Sequence, residues 1–438
     1  MDGWADVLAE VGLLRAVDSW GSRVAVETPG GSLTYAELGA LSRAGARELG
    51  VARGERVAIA LPAGLDFVVA LHACFAAGAV AVPVDLREPR ERWPLGDVAA
   101  VIDRPLNCTG KVADARPLEL DDVALIVRTS GTESGMPKAV PLSFANFVWS
   151  ALGSAVALGL DPDERWLCTL PLVHVGGLSI LVRSWLYGTT AVVHERFDAE
   201  AALATLIDGE ITLVSVVATT LARLLDAGLE RPPRLRCALA GGGPVPLALI
   251  ERAQAAGVAV SQTYGLTETC SQVATQMPGQ AARANAGPPL FCARVEIASD
   301  GEILVSGPTV SPAVGGVLAT GDLGELDEDG NLRVIGRKAD TIITGGENVA
   351  PAEVEEVLSR HPAVSEAGVY GAADPEWGEA VRALVVLRAP VSADALREHC
   401  AASLARYQVP KQIGVVDALP RTASGKLLRR DLAAKAPL

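Results

Sequence analysis

The sequence predicts an α/β protein with a large N-terminal domain and a small C-terminal one. Short β-branched runs recur between alanine-rich segments that have helical spacing. Several runs are apolar without alternation, which is typical of parallel strands covered on both faces. The chain of 438 residues is long enough for about two or three domains, with one of them large.

Strands and helices alternate along the N-terminal part. Strands are predicted over 57–61, 79–84, 123–128, 190–194, 213–217 and 258–263. Helices are predicted over 37–49, 66–77, 199–207 and 247–256. From about residue 294 the pattern changes to hairpins, with strands at 295–297 and 302–306 around Ser299-Asp300-Gly301 and a second turn at Asp329-Gly330 before strand 332–335.

The last hundred or so residues form a separate pattern. Pro351 is expected to open a helix and Ser392 to cap another, with a strand over 380–387 between them. We place the boundary in the polar turn before Asp340, which gives predicted domains 1–339 and 340–438.

Composition argues against several classes of protein. Acidic residues exceed basic ones and give a net charge of −14, so neither nucleic acid nor an anionic membrane is an expected partner. The seven cysteines are scattered without a C-x-x-C pair, which indicates reduced thiols and a cytoplasmic protein. No secretory signal is recognised at the start, and the apolar stretch 67–82 contains His72 and is too short for a membrane span. This stretch is expected to be a buried helix that leads into a strand.

A loop of small hydroxyl residues follows the strand at 123–128. Residues 129–138 read Thr-Ser-Gly-Thr-Glu-Ser-Gly-Met-Pro-Lys. Backbone N–H groups, hydroxyls and one cation in such a loop suit phosphate oxygens, although the Walker pattern is absent. The loop alone would equally fit a flexible surface segment.

Further motifs occur in a fixed order along nearly the whole chain. They are Leu-Pro-Leu-Val-His at 170–174, Tyr-Gly-Leu-Thr-Glu at 264–268, Thr-Gly-Asp at 320–322, Gly-Arg-Lys-Ala-Asp at 336–340, Gly-Gly-Glu-Asn at 345–348 and Pro-Arg-Thr-Ala-Ser-Gly-Lys at 420–426. Together with the loop, this set resembles the adenylate-forming superfamily of acyl-CoA synthetases, luciferases and peptide-synthetase adenylation domains. The resemblance implies a large domain of stacked sheets and helices with a β-rich subdomain, followed by a small mobile α+β lid domain.

The resemblance also implies the reaction and its cofactors. A carboxylate attacks the α-phosphorus of ATP to give an acyl-adenylate, and a thiol, here coenzyme A, then displaces AMP. Mg²⁺ would be bound by Glu268, since it prefers oxygen ligands. The implied ATP-binding residues are Thr129, Ser130, Gly131, Thr132, Lys138, Gly241, Gly242, Gly243, Tyr264, Gly265, Asp322 and Arg337.

Catalytic roles follow from the same resemblance. Lys426 would stabilise the adenylation transition state, with Thr267 facing the phosphate and His174 beside the acyl pocket, which Ser179 and Thr269 would also line. The small domain would rotate about Asp340 and exchange Lys426 for Gly345 and Gly346, which would line the CoA tunnel.

Within the superfamily, the segments 171–188, 214–225, 239–246 and 262–275 resemble the o-succinylbenzoate–CoA ligases of menaquinone biosynthesis. A dianionic acid needs a second anchor, for which Arg183, Arg223, Ser179 and Gln272 are candidates. The phosphate loop is one residue longer than the common pattern, and a loop before Thr320 is shorter. Other readings therefore stay open: a ligase for another aromatic or polycyclic acid, loading of a carrier protein, and a non-catalytic binding relative, against which the retained Lys426 argues. A homodimer is one assembly that the sequence allows.

Overall fold

The computed structural model describes residues 20–93, 97–108, 118–129, 138–421 and 427–436. In this described part the chain forms four β-sheets, two of them mainly parallel and two mainly antiparallel. No helix among the described residues is long and apolar enough to cross a membrane.

Two sheets of the N-terminal part enclose a layer of helices. Their strands are β1 (Val24–Thr28), β2 (Gly31–Thr34), β3 (Arg56–Ile59), β4 (Val80–Pro83), β5 (Val98–Ile102), β6 (Val123–Arg128), β7 (Ala139–Ser143), β8 (Arg165–Cys168), β9 (Thr190–Val193), β10 (Leu213–Val216), β11 (Cys237–Ala240), β12 (Val260–Leu266) and β13 (Ser271–Thr275). The larger sheet has the order β13-β12-β11-β10-β8-β9-β1-β2, and the smaller one has the order β5-β3-β4-β6-β7.

The helices between these sheets share one hydrophobic core with both of them. They are α1 (Tyr35–Leu49), α2 (Leu65–Ala77), α3 (Phe144–Leu158) and α4 (Val175–Tyr187). A capping box fixes the start of α1, since Thr34 accepts from the backbone of Glu37 while the Glu37 carboxylate accepts from Thr34. The helix therefore begins two residues before the predicted bound.

Three more helices cover the other face of the larger sheet and pack in a second core. They are α5 (Ala199–Asp208), α6 (Ala218–Asp226) and α7 (Leu247–Ala255). Strands β8 to β11 are therefore buried on both faces, which explains why their sequences are mainly apolar without alternation.

The predicted hairpins form a four-stranded antiparallel sheet. Its strands, in sheet order, are β14 (Arg294–Ile297), β15 (Glu302–Ser306), β16 (Val317–Leu326) and β17 (Leu332–Arg337). The Asp300-Gly301 and Asp329-Gly330 turns lie where the sequence predicts them, with left-handed φ at both glycines.

The C-terminal part has a core of its own. Strands β18 (Ile342–Thr344), β19 (Glu347–Val349), β20 (Val364–Asp374), β21 (Gly378–Leu387) and β22 (Gln412–Val415) pack against α8 (Pro351–Ser359), α9 (Ala393–Ala401) and α10 (Leu432–Lys435). Pro351 opens α8 and Ser392 caps α9, as predicted. The boundary at Asp340 and the two predicted domains stay predictions.

The stretch 67–82 is a buried helix followed by a strand, as predicted. Residues 67–77 of α2 are all buried. Gly78, which has a left-handed backbone, caps the end of the helix, and β4 begins two residues later at Val80. All seven cysteines have free thiols.

His72 is the one basic side chain within the buried run of α2. Its ring lies edge-on to Phe75 and Trp185, with ring centroids 5.4 and 5.3 Å away. Burial lowers the pKa of His72 from 6.5 to about 4. The folded state therefore favours the neutral ring. The contribution of His72 to the free energy of unfolding is complete above pH 6.5 and is lost as the pH falls towards 4.

We expect a substitution at this position to flatten the acid sensitivity of the fold. Between pH 7.5 and pH 5, the shift in the pKa of His72 corresponds to a loss of about 2 kcal/mol in the free energy of unfolding. His72→Leu should lack this part of the loss, which is checked by urea unfolding of both proteins at the two pH values. Equal losses would show that the ring is not held neutral in the folded state.

Candidate active site

Three residues predicted to bind ATP meet at the carboxylate of Asp322. Strands β16 and β17 pair so that Asp322 lies opposite Arg337, and the Arg337 Nε atom is 2.8 Å from Asp322 Oδ1. The Tyr264 hydroxyl, from the end of β12, donates to Asp322 Oδ2 at 2.7 Å. Asp322 itself is buried. Each oxygen of this carboxylate is therefore held by a different element.

The phenol of Tyr264 is the donor in its hydrogen bond with Asp322. Burial first, and then the neighbouring Asp322 carboxylate, raise the pKa of Tyr264 above its usual range. The hydroxyl is thus protonated at every physiological pH, and the ring lies between the antiparallel sheet and the end of β12. Asp322 is oriented before any nucleotide arrives.

The glycines of residues 241–243 follow β11, the strand next to β12. Both strands end at the same edge of the sheet because they are parallel. A Cβ on Gly241 would lie 2.7 Å from Thr263 Cγ2, while Gly242 and Gly243 are exposed and Gly242 has a φ of 78°. The backbone here is accessible near Tyr264, as the expected adenine site requires.

The turn after β12 is tightly constrained. A Cβ on Gly265 would lie 1.6 Å from the carbonyl oxygen of Ser271. Residues Thr267–Thr269 form a single 3₁₀ turn, and Cys270 and Ser271 then adopt left-handed backbone with φ of 50° and 93°. Such backbone in non-glycine residues occurs where neighbouring structure enforces it, and it concentrates at functional sites.

This turn presents Glu268 and Thr267, both half-buried. Within the described part of the chain, no lysine or arginine lies at ion-pair distance from Glu268, and no group of three metal-ligating side chains occurs. A single free carboxylate fits Mg²⁺, which is commonly held by one or two protein carboxylates together with substrate phosphates.

Ser311 connects the Glu268 turn with the phosphate loop, a link that the sequence does not indicate. Its N–H donates to the Glu268 carbonyl at 2.8 Å, and its hydroxyl donates to the Pro141 carbonyl of β7 at 2.7 Å. Strand β7 follows Lys138 directly. The carboxylate and the loop are therefore held on one support.

The ends of the phosphate loop lie side by side. Strands β6 and β7 are antiparallel partners, and the Thr129 N–H donates to the Lys138 carbonyl at 2.9 Å. Lys138 is exposed. Ser130, Gly131 and Thr132 lie outside the described residues, so their phosphate contacts stay predictions.

His174 lies at the N-terminal end of α4 and faces a carboxylate that the sequence analysis missed. Asp85 follows β4, and Arg87 donates to both of its oxygens at 2.7 and 2.6 Å. Burial acts to raise the pKa of Asp85, but the Arg87 hydrogen bonds and the charge of His174 together lower it. Asp85 thus stays ionised beside His174. No local motif marks Asp85, because β4 and α4 are far apart in sequence.

Unpaired polar atoms gather along α4. Ser179 and Arg183 lie one helical turn apart, and Gln272 lies on β13, against which α4 packs. All three are buried, and within the described part of the chain Ser179 Oγ, Arg183 Nε and Gln272 Oε1 have no hydrogen-bond partner. We call these three residues the α4 polar cluster.

Arg183 is a buried cation without a carboxylate partner among the described residues. One of its nitrogens donates to Ser150 Oγ at 2.9 Å, and its guanidinium lies 5.8 Å from the centre of the Trp166 ring. Burial lowers its pKa. The other candidate, Arg223, differs because it is exposed and lies over Phe197.

Thr269 is fully buried, but its hydroxyl is bonded within its own turn. It accepts from the Leu266 N–H at 3.0 Å and donates to the Leu266 carbonyl at 3.1 Å. Its expected place in the acyl pocket stays a prediction.

In the C-terminal part, Asp340 pairs with Arg429 at 3.1 Å, and Gly345 and Gly346 form the tight turn between β18 and β19. A Cβ on Gly345 would lie 2.7 Å from the Trp377 ring. Lys426 lies outside the described residues, and its neighbour Leu427 forms a β-bridge with Arg421.

Comparison with known proteins identifies the family of the chain. The family model described as "AMP-binding enzyme" matches residues 13–104 and 95–313, and the model "AMP-binding enzyme C-terminal domain" matches residues 353–426. A 2–succinylbenzoate–CoA ligase of Bacillus subtilis (strain 168) is 39% identical over 460 aligned positions, which cover 94% of each chain.

Solved structures give the same result. The o-succinylbenzoate CoA synthetase (MenE) of Bacillus subtilis, in complex with the acyl-adenylate intermediate OSB-AMP, is 38% identical with a TM-score of 0.87 over 96% of this chain and 97% of that one. The same enzyme with ATP and a magnesium ion also has a TM-score of 0.87 and 38% identity, over 96% of this chain and 98% of that one.

The chain therefore belongs to the AMP-binding enzymes and, among them, to the family of the 2-succinylbenzoate–CoA ligases. The predicted superfamily and fold class are confirmed. The roles assigned to individual site residues stay predictions.

Gly265 gives a direct test of the crowded turn. Gly265→Ala should displace Ser271 and the Glu268 turn, because the added Cβ would meet a backbone carbonyl. We expect the free energy of unfolding to fall by about 1–3 kcal/mol. Most of the ATP–pyrophosphate exchange activity should also be lost.

The matched control is Gly64→Ala, where a Cβ meets no atom within 4 Å. Melting temperature and exchange rate are measured for both variants. Wild-type behaviour of Gly265→Ala would contradict the described geometry.

Proposed function

We propose that this protein is an ATP-dependent ligase that activates o-succinylbenzoate as an acyl-adenylate and transfers the acyl group to coenzyme A. The observation that carries the proposal is the arrangement of Asp322, Tyr264 and Arg337 beside the Glu268 turn. The named relative at 39% identity supports the substrate.

In the first step, an oxygen of the substrate carboxylate forms a bond to the α-phosphorus of ATP, and the bond from that phosphorus to pyrophosphate breaks. Negative charge accumulates on the phosphate oxygens, so positioned cations accelerate the step. We assign Lys138 and the loop hydroxyls to the β- and γ-phosphates and Lys426 to the reacting centre, as the family resemblance implies. Mg²⁺ held by Glu268 would neutralise phosphate charge when bound.

Asp322 is suited to the ribose. A carboxylate is acceptor-only, so it matches a diol that offers two donors. Because Tyr264 and Arg337 already fix both of its oxygens, little reorganisation is required when ATP binds.

The α4 polar cluster is the inferred anchor for the second carboxylate of the acid. A buried guanidinium without an anion is costly, and a substrate carboxylate would supply the missing charge. Arg183 lies nine positions after His174, about 13 Å along the helix axis, and long helical side chains lean back towards the N-terminus. An elongated acid with a carboxylate at each end fits between them, with Ser179 and Gln272 offering further polar atoms.

The surface of the C-terminal part favours CoA as the thiol. Trp377 is 41% exposed beside the Gly345-Gly346 turn, and the Lys411 ammonium lies 4.6 Å from the centre of its ring. An aromatic face next to a cation suits an adenine base and its phosphates. A carrier protein would require a larger docking surface here.

ATP and CoA are cytoplasmic metabolites, and we place the reaction in the cytoplasm. A homodimer stays a prediction.

The proposal is tested by mass spectrometry of CoA thioesters after incubation with ATP, Mg²⁺, CoA and a mixture of carboxylic acids. A dominant o-succinylbenzoyl-CoA product supports the full proposal. If another acid is consumed instead, the proposed ligase activity stands and the proposed substrate is wrong. If no acid yields AMP or a thioester, both the ligase activity and the proposed substrate are overturned.

Lys426→Ala should separate the two steps. Loss of this charge should slow adenylation by roughly 10²–10³-fold, whereas thioester formation from a supplied acyl-adenylate should persist, because only the first step uses the charge. Pyrophosphate release and thioester formation are measured separately, with the exposed Lys435→Ala as the control. Equal losses in both steps would contradict the assigned role.

Arg183→Met should reduce discrimination between acids. The comparison substrate is 4-oxo-4-phenylbutanoate, which lacks the aromatic carboxylate of o-succinylbenzoate. We expect the wild-type preference in kcat/KM for the diacid to fall by about 10–100-fold, the equivalent of one charge-assisted contact. Arg223→Met is the matched control, and an unchanged preference in Arg183→Met would place the anchor elsewhere.

A further inference from the structure

Ion pairs fix both ends of the short turn Lys338–Asp340. The Lys338 ammonium lies 2.7 Å from Asp300 Oδ2 and 3.0 Å from Glu302 Oε2. At the other end, Asp340 pairs with Arg429 of the C-terminal part. The first residue of the turn is thus tied to the four-stranded sheet, and the last to the predicted lid domain.

Glu302 makes a second contact that points away from this turn. Its Oε1 atom accepts from the Gly321 N–H at 2.9 Å. The Gly321 hydrogen bond, together with that of Lys338, lowers the pKa of Glu302. Gly321 directly precedes Asp322. We call residues 320–322 the ribose turn and residues 338–340 the hinge turn. One ionised carboxylate, that of Glu302, therefore joins the two turns.

The ribose turn is held from its other side by the strand that leads to the hinge. Arg337 binds Asp322 Oδ1 and donates to the Thr320 carbonyl at 3.3 Å, and it directly precedes Lys338. The Thr320 hydroxyl donates to Ile303 at 2.8 Å and accepts from the Asp322 N–H at 3.1 Å. A shift of Asp322 therefore reaches Lys338 by two routes, through Arg337 and through Glu302.

We propose that Glu302 is a positioning residue that couples occupancy of the nucleotide site to the hinge. When a nucleotide is bound at Asp322, the positions of Gly321 and Glu302 are fixed, and Lys338 stays paired with Glu302. Rotation of the lid is then confined to the backbone bonds that follow Lys338. When AMP leaves, this restraint relaxes. The proposal rests on the proposed function, since the lid moves between its two steps.

An isolated surface ion pair would not have this effect. Exposed pairs contribute little to stability, and their loss changes no remote site. The sheet contains such a pair for comparison, since Arg333 and Glu325 lie opposite each other in β17 and β16, 3.0 Å apart, and contact no hinge residue.

The test follows amide hydrogen exchange with and without ATP and Mg²⁺. The variants are Glu302→Gln, in which the amide oxygen still accepts from Gly321 but the charge is lost, Lys338→Met, and their combination. In the wild type, ATP should slow exchange in residues 338–342. In each variant this protection should fall roughly tenfold, with no further fall in the double variant, because the two residues form one link. Protection around Tyr264 should stay unchanged.

A kinetic measurement accompanies exchange. CoA is added to preformed enzyme–adenylate, and thioester formation should slow about 5–20-fold in Glu302→Gln, with KM for ATP within about twofold of wild type. Glu325→Gln should match the wild type in both assays. The coupling would be overturned if ATP slowed exchange in residues 338–342 of Glu302→Gln as much as in the wild type. It would also be overturned if the losses of protection in the two single variants added up in the double variant. Normal hinge protection by ATP in a wild-type protein that forms no thioester would instead overturn the proposed function and retain the link.

Discussion

The buried carboxylate of Asp322 is the constraint on which the nucleotide site depends. One oxygen is held by Tyr264 from the mainly parallel sheet, and the other by Arg337 from the antiparallel sheet. Removing either partner would leave a buried charge partly uncompensated, which is expensive in a protein interior. These two sheets also share a hydrophobic cluster through β13, and the Asp322 contacts join them at the place where the ribose is expected.

Sequence patterns were sufficient where a feature is local. The Asp300-Gly301 turn and the helix after Pro351 each follow from a few consecutive residues, and the motifs were sufficient to recognise the family. Helix α3 was missed because its apolar sequence from Phe144 to Leu158 lacks a clear amphipathic period and follows β7 without a loop.

Contacts between distant segments could not be predicted in the same way. Asp85, which follows β4, interacts electrostatically with His174 at the start of α4, and Ser311 reaches both Pro141 and the Glu268 turn. Asp85 and Ser311 belong to no recognisable motif, so no local pattern marks their contacts with these sites. The α4 polar cluster shows an intermediate case: the sequence supplied four candidates, but burial was needed to separate Arg183 from the exposed Arg223.

The free cysteines bear on the chemistry of an enzyme that handles activated acyl groups. An acyl-adenylate reacts with accessible thiolates, and the chain carries seven cysteines of its own. Burial raises the pKa of Cys168 and Cys270 to about 12, and the pKa of every other cysteine is also raised. At neutral pH almost none of these sulfurs is a thiolate. The fold thereby protects the protein from acylating itself, and the intermediate is left for the incoming thiol.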